Sequence, residues 1–232
     1  MLEKILVHER EAFLLMNGSD SIFFDRFMWL YSGKVVWLPL AVFILFVLIY
    51  KNKWKESLLI LLGIVLVITL CDQFASHLCK PLFTRFRPTH HPDFIDQVKT
   101  VFDYRGGRYG FMSSHAANAF GFITFISLIL RNRLLTLSLF FWATLMAYTR
   151  IYLGVHFISD IVPGAIIGTI FGYLVYRIYL LSRPYLMRRG EEHRSFAYTV
   201  YALNPPQLIV MGIFSTILIM LAFNAQLIHF LA

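Results

Sequence analysis

LLTLSLFFWATLMAYTRIYLGVHFISDIVPGAIIGTIFGYLVYRIYLL, residues 134–181, decides how this chain is read. Two apolar runs, 134–153 and 157–181, each reach the roughly 20 residues that a helix needs to cross a bilayer. Between them RIYLGVHFISD, residues 150–160, holds Arg150, His156 and Asp160 where charge is hardest to accommodate. Ionisable residues kept in such a place are functional by default.

The rest of the 232-residue chain repeats the pattern. It is 58% hydrophobic with 23 Phe, and its mean hydropathy is +0.66, which excludes an ordinary soluble domain. Further spans are predicted at 33–50, 57–79, 111–130 and 207–231. The fold class is therefore all-α, a polytopic bundle of six transmembrane helices in one membrane-embedded domain over 1–232. Ahead of them, residues 1–32 set Leu2, Ile5, Phe13, Phe23, Phe27 and other apolar residues among charges, with Asn17–Asp20 as a break. That pattern predicts two short amphipathic helices at the interface. The start has no basic n-region, short apolar core and small-residue cleavage site, so no signal peptide is expected.

The formal charge of +8 does not point to nucleic acid, because the basic residues lie in short loops between apolar segments. Six spans put both termini, the 80–110 loop and the 150–157 turn on one face. KNKWKE (51–56), RNR (131–133) and RRGEEHR (188–194) fall on the other. Short basic loops are retained in the cytoplasm, so the first face is expected to look outward. Cys71 and Cys79 are separated by about 12 Å along one helix and are too far apart to bridge.

Three stretches on the outward face concentrate the polar chemistry. In the third, His156 and Asp160 stand at i and i+4, which predicts a shared helical face and a carboxylate holding one imidazole nitrogen. An imidazole held in that way offers the lone pair of its other nitrogen as nucleophile or base. Arg150 adds fixed positive charge. In the second, Ser113, Ser114 and His115 open a helix, where hydroxyls and unpaired N–H groups favour an anion. In the first, Lys80 ends a span and Arg87 is held by Pro88. Cations, a helix N-terminus and two histidines, one backed by Asp, make a set for phosphoryl transfer, with one His attacking and one protonating. A zinc site built from His77, His90, His91, His115 and His156 is the competing reading. It finds no HExxH, paired cysteines or carboxylate cluster to support it.

These residues resemble the type 2 phosphatidic acid phosphatase superfamily, whose signature is KxxxxxxRP, PSGH and SRxxxxxHxxxD. The first motif is complete as Lys80, Arg87 and Pro88. The third reads Thr149, Arg150, His156 and Asp160, with Thr for Ser. The second departs more, as Met112, Ser113, Ser114 and His115. Serine in place of glycine adds a Cβ that could restrict a positive φ or crowd a phosphate. The resemblance covers about residues 57–181, taken as the catalytic core. It implies His156 as nucleophile, Asp160 as its orienter and His115 as acid toward the leaving group. Lys80, Arg87, Arg150, Ser113 and Ser114 would bind phosphate, and no metal or cofactor is implied.

The function expected is an integral membrane lipid phosphatase acting through a phosphohistidine. Polyprenyl diphosphate or lipid A is the favoured substrate, with phosphatidylglycerol phosphate or phosphatidic acid as alternatives. The expected setting is a bacterial inner membrane with the site facing the periplasm or exterior. The partners are the lipid substrate and the bilayer, with no nucleic acid and no obligate protein partner. Vanadate haloperoxidases share the family's oxyanion pocket but are soluble. A non-catalytic anion binder or transporter would use the same cations without the Asp-backed histidine. The 93–110 loop is read as a headgroup-selecting segment.

Overall fold

Two of the apolar helices begin where the sequence supplies a side-chain cap. The computed structural model describes residues 2–50, 53–186 and 205–231; RRGEEHR at 188–194 lies outside the described residues. These residues are helical with connecting loops and no strand, apart from an isolated antiparallel bridge between Phe86 and Tyr109. In chain order the α-helices are α1 (Leu2–Met16), α2 (Ile22–Ser32), α3 (Leu38–Ile49), α4 (Trp54–Asp72), α5 (Lys80–Phe83), α6 (Ser114–Leu130), α7 (Arg133–Tyr152), α8 (Ile158–Leu186), α9 (Pro205–Ala222) and α10 (Asn224–Leu231). The Ser113 hydroxyl accepts the Ala116 N–H at 3.4 Å to start α6, and Asn132 Oδ1 accepts the Leu135 N–H at 2.9 Å to start α7. Both satisfy an amide that the first helical turn leaves without a partner.

Among the described residues four helices are long and apolar enough to cross a membrane: Trp54–Phe83, Arg133–Tyr152, Ile158–Leu186 and Pro205–Ala222. Large apolar side chains stand on their outer faces, such as Leu62 and Val65 on α4 and Val162 and Ile166 on α8. In a bilayer these faces meet lipid rather than water. The chain is an integral membrane protein.

The other two expected spans differ from the sequence reading. The 111–130 segment is helical only from Ser114, and its 17 residues rise about 26 Å, short of a full span of about 30 Å. The 33–50 segment is one arm of a pair, Ile22–Ser32 with Val35–Ile49, bent by 67°. Helix α2 was expected to lie at the interface, yet Phe27, Met28, Leu30 and Tyr31 are buried in the main core. The run 207–231 breaks at Phe223 into α9 and α10.

The closest packing joins α6 to α8. Gly164, Gly168 and Gly172 recur every four residues along α8 and so present one face. A Cβ on Gly164 would come within 2.7 Å of the Ser113 carbonyl, and one on Gly168 would strike the Ala117 carbonyl. Small residues let the two backbones approach, as in membrane helix pairs generally. The start of α6 is thereby set beside the start of α8, and the Ser113 N–H donates to the Asp160 carbonyl at 3.0 Å.

A second, smaller core lies beneath the 154–157 turn. Phe13 from α1, Phe94 from the long loop and Phe157 form a triangle with ring centroids 5.3–5.8 Å apart. Gly154 turns the chain out of α7 at φ +74°, a region open to glycine and costly for other residues. Asn17 fastens that turn to the loop: its Nδ2 donates to the carbonyls of Tyr152 and Lys99, and its Oδ1 accepts the Lys99 N–H.

Candidate active site

Four chain segments meet at one end of the bundle: the end of α4 and α5, the 85–110 loop, the start of α6, and the turn from α7 into α8. His156 lies in that turn, almost wholly buried. The i, i+4 spacing suggested a common helical face with Asp160, but α8 begins only at Ile158. Gly154 takes the chain out of the helix, so Asp160 reaches back across the start of α8. Its Oδ2 lies 3.3 Å from His156 Nδ1 and accepts the Phe157 N–H at 3.1 Å.

The other imidazole nitrogen, Nε2, lies 3.2 Å from Arg87 Nη1. An ionised carboxylate only accepts hydrogen bonds and a guanidinium only donates them. These two neighbours therefore assign the proton to Nδ1 and the lone pair to Nε2. Burial, followed by the charges of Arg87 and Arg150, holds the His156 imidazole well below its ordinary range; His115 and Lys80 also contribute. That direction keeps the ring neutral at pH 7.

That shift has a readable sign. An unfolded histidine titrates near 6.5, so below about that pH the unfolded chain binds the extra proton. The contribution of His156 to stability is complete above about pH 6.5 and is lost as pH falls toward its folded value. Activity follows the same direction. The acid limb of a kcat/KM profile is expected below pH 6.5, and a limb at or above that value would mean that His156 is not the group that must stay neutral.

The cations have distinct supports. Arg87 Nε donates to the Tyr109 carbonyl at 3.1 Å and Nη1 to the Val155 carbonyl at 3.2 Å. Burial and then Arg150 bring its guanidinium down to about 10, still protonated at neutral pH. Arg150 is buried, with Nη1 on the Ser32 hydroxyl and Nη2 on the Tyr104 hydroxyl at 3.1 Å. Lys80 follows a π-helical stretch, Gln73–Cys79, and its Nζ donates to Ser76 Oγ at 3.2 Å. Ser76 in turn donates to Asp72 Oδ1 at 3.4 Å. π-Helical turns are rare and frequent at functional sites.

Ser113 is fully buried and its hydroxyl caps α6. Ser114 is the first residue of α6 and is not among the positive-φ positions, so its Cβ brings no backbone strain there. His115, in the first turn of α6, is close enough for its charge to act on His156. His91 is buried against Phe94 and Phe157, beneath the 154–157 turn. Among the described residues no group of three His, Cys, Asp or Glu side chains is arranged to hold a metal ion.

Sequence reasoning passed over Arg85, Glu9, Tyr104 and Ser32. Arg85 is buried, and its Nη1 donates to Asp160 Oδ1 at 2.7 Å while Nη2 donates to Glu9 Oε1 at 2.7 Å. Glu9, from α1, also accepts the backbone N–H and the hydroxyl of Ser159. The Asp160 carboxylate thus gives one oxygen to Arg85 and the other to His156 and the Phe157 amide. A signal was present in Arg85-Phe86-Arg87. In extended chain, alternate residues share a side, and the Phe86–Tyr109 bridge holds this piece extended.

The bundle end and its histidine–arginine cluster are those of a PAP2-type membrane phosphatase. The PAP2 superfamily profile matches residues 58–184, and the chain belongs to that superfamily. It is 42% identical over 226 residues to a lipid A 4'-phosphatase of Porphyromonas gingivalis, covering 97% of this chain and 95% of that one. It is 40% identical over 179 residues to a lipid A 4'-phosphatase of Bacteroides thetaiotaomicron, covering 77% and 80%. The crystal structure of Aquifex aeolicus LpxE is similar at TM-score 0.55 and 26% identity, over 73% of this chain and 94% of that one. A transmembrane PAP2-type phosphatidylglycerolphosphate phosphatase of Bacillus subtilis shares the fold at TM-score 0.56 and 22% identity, over 76% and 85%.

Proposed function

We propose that this protein hydrolyses the 4'-phosphate of lipid A through a phosphohistidine on His156. The observation that carries the reading is the His156 ring, neutral, with its Nδ1 proton on Asp160 and its Nε2 lone pair beside Arg87. Polyprenyl diphosphate shared first place on sequence grounds. Similarity to two lipid A 4'-phosphatases, over 97% of the chain for one and 77% for the other, favours lipid A.

In the first step Nε2 attacks phosphorus, and the bond from phosphorus to the sugar oxygen breaks. His115, made imidazolium once the phosphate dianion is bound among the cations, gives its proton to the leaving oxygen and becomes neutral. In the second step a water attacks the phosphohistidine, His115 takes the proton, and inorganic phosphate leaves with His156 restored. Arg87, Arg150, Lys80 and the N-terminus of α6 neutralise the charge that spreads over the phosphoryl oxygens, the main demand of phosphoryl transfer. No step requires a metal. The helices keep the acyl chains in the bilayer while the headgroup reaches the cluster. Short basic loops on the opposite face support a site facing the periplasm of the bacterial inner membrane.

The test uses the purified chain in detergent with a panel of lipid A bisphosphate, phosphatidylglycerol phosphate, phosphatidic acid and polyprenyl diphosphate, with and without EDTA. The expected result is preferred release of one phosphate from lipid A, mapped by mass spectrometry to the 4' position and unaffected by chelator. Preference for another lipid refutes the substrate, and loss of activity with EDTA refutes the metal-free mechanism.

A further inference from the structure

Tyr104 stands in the 85–110 loop, outside all three motif stretches, yet its side chain reaches the cationic cluster. Its hydroxyl accepts from Arg150 Nη2 at 3.1 Å. Two residues further on, a Cβ on Gly106 would come within 3.0 Å of Arg87 Nη1, the nitrogen that lies 3.2 Å from His156 Nε2. Residues 104–106 therefore run from one guanidinium to the other, beside the nitrogen proposed to attack phosphorus.

The loop is anchored on both sides of Tyr104. Val101 is buried, Trp29 meets Phe102 edge-on with ring centroids 6.0 Å apart, and the Thr89 hydroxyl donates to the Arg105 carbonyl at 2.7 Å. Between these anchors Phe102 and Asp103 take φ +51° and +53°, the left-handed region that residues with a side chain adopt at a cost. Such strain persists where the surroundings fix it, and it gathers at functional sites. Here it folds the chain back so that the Tyr104 N–H donates to the Val101 carbonyl at 3.1 Å.

A guanidinium only donates, so the phenol oxygen accepts from Arg150 and keeps its own proton to give. Among the described residues nothing accepts that proton, and Tyr104 is 36% exposed. Burial opposes ionisation of the phenol, but the charge and hydrogen bond of Arg150, with the charges of Arg87 and Lys34, outweigh it and hold the phenol below the ordinary tyrosine range. A donor polarised in this way suits an anionic acceptor. Resting on the lipid phosphatase reading, we propose that Tyr104 is a further phosphate-binding residue, whose O–H donates to an oxygen of the substrate's terminal phosphoryl group while Arg150 holds the phenol in place. The proton stays on the phenol throughout, and the transfers assigned to His156 and His115 are unchanged.

The test compares the purified full chain with Tyr104→Phe, which keeps the ring and removes one oxygen. Loss of a hydrogen bond to a charged group is expected to lower kcat/KM on lipid A by roughly ten- to a hundredfold and to raise the calorimetric Kd of inorganic phosphate about tenfold or more, with the melting temperature unchanged. A tyrosine that only steadied Arg150 would also cost activity, and the pH profile separates the two roles. With the O–H as donor, kcat/KM of the unaltered chain falls as pH rises through the Tyr104 titration, below about pH 10, because a phenolate has no proton to give and repels phosphate. A phenolate still accepts from Arg150, and more strongly, so a supporting role alone produces no such fall. The charged groups that act on the phenol are Arg150 from α7, Arg87 from the loop and Lys34 after α2, all present in both proteins. Tyr104→Phe should therefore lack this fall and keep any that Lys80 or another group gives to both. Equal kcat/KM and phosphate affinity in the two proteins overturns the proposal, and so do alkaline profiles that fall in parallel. An unaltered chain that releases phosphate from no lipid refutes the lipid phosphatase reading instead, and the Kd of inorganic phosphate then still decides whether Tyr104 binds the anion.

Discussion

His156→Ala is expected to lower phosphate release from lipid A to the level of a protein-free blank while leaving the helical fold in place. The ring supplies the atom that forms the bond to phosphorus, and the neighbouring His115 imidazole serves proton transfer in this scheme. Arg87 and Arg150 stay protonated, and the Lys80 ammonium is tied to Ser76. His115→Ala removes only the proton donor, and a misplaced general acid typically costs about 10² to 10⁴ in rate. The pair separates the two roles. With an activated leaving group such as p-nitrophenol, which needs little protonation, His115→Ala should recover much of its lost kcat and His156→Ala none. Quenching the His115→Ala enzyme in base and digesting it should yield phosphohistidine at residue 156. Equal recovery in both variants, or phosphate on another residue, would count against His156 as nucleophile.

Much of the site can be read in the chain because its chemistry is carried by fixed local spacing. Lys80 to Arg87, and Arg150 through His156 to Asp160, are short intervals whose side chains are gathered at one end of the bundle, so the intervals themselves survive in the sequence. The spans are legible for a similar reason: a bilayer demands length and apolarity, and α4, α7, α8 and α9 supply both. The helix starting at Ser114 is short because Ser113 through His115 belong to the site rather than to the hydrocarbon. Residues 2–32 were legible as two helices from their pattern. That α2 is buried, and that α1 sends Glu9 to the back of the site, follows from contacts 76 to 150 residues apart in sequence, which no local pattern reports. Arg85 was hidden differently. It sits beside a more conspicuous arginine, and its partner Asp160 already had an assigned role with His156.

Arg85→Met is expected to damage both stability and kcat, and the two losses have separate causes. The side chain joins two carboxylates, Asp160 and Glu9, with nearly no solvent at either Arg85 or Asp160. Removing one partner of a buried ion pair leaves an uncompensated charge, typically a loss of about 3–5 kcal/mol. Part of that is relieved if Asp160 takes up a proton. A protonated Asp160 no longer draws the His156 proton to Nδ1, and the ring can turn its proton to Nε2, where the lone pair is needed. Holding a catalytic histidine in the wrong tautomer costs about 10⁴ in kcat in the serine-protease triad, which sets the scale here. Arg85 does not touch the phosphate-binding cations, so KM should change little. Arg85→Lys keeps the charge but offers a single point in place of the guanidinium fork, and should recover melting temperature more fully than kcat. A merely structural Arg85 would lower the melting temperature and leave kcat per folded molecule unchanged, with the acid limb of the pH profile in place. An acid limb that moves upward in Arg85→Met, as Asp160 protonates at higher pH, is the signature of a residue that acts through Asp160 on His156.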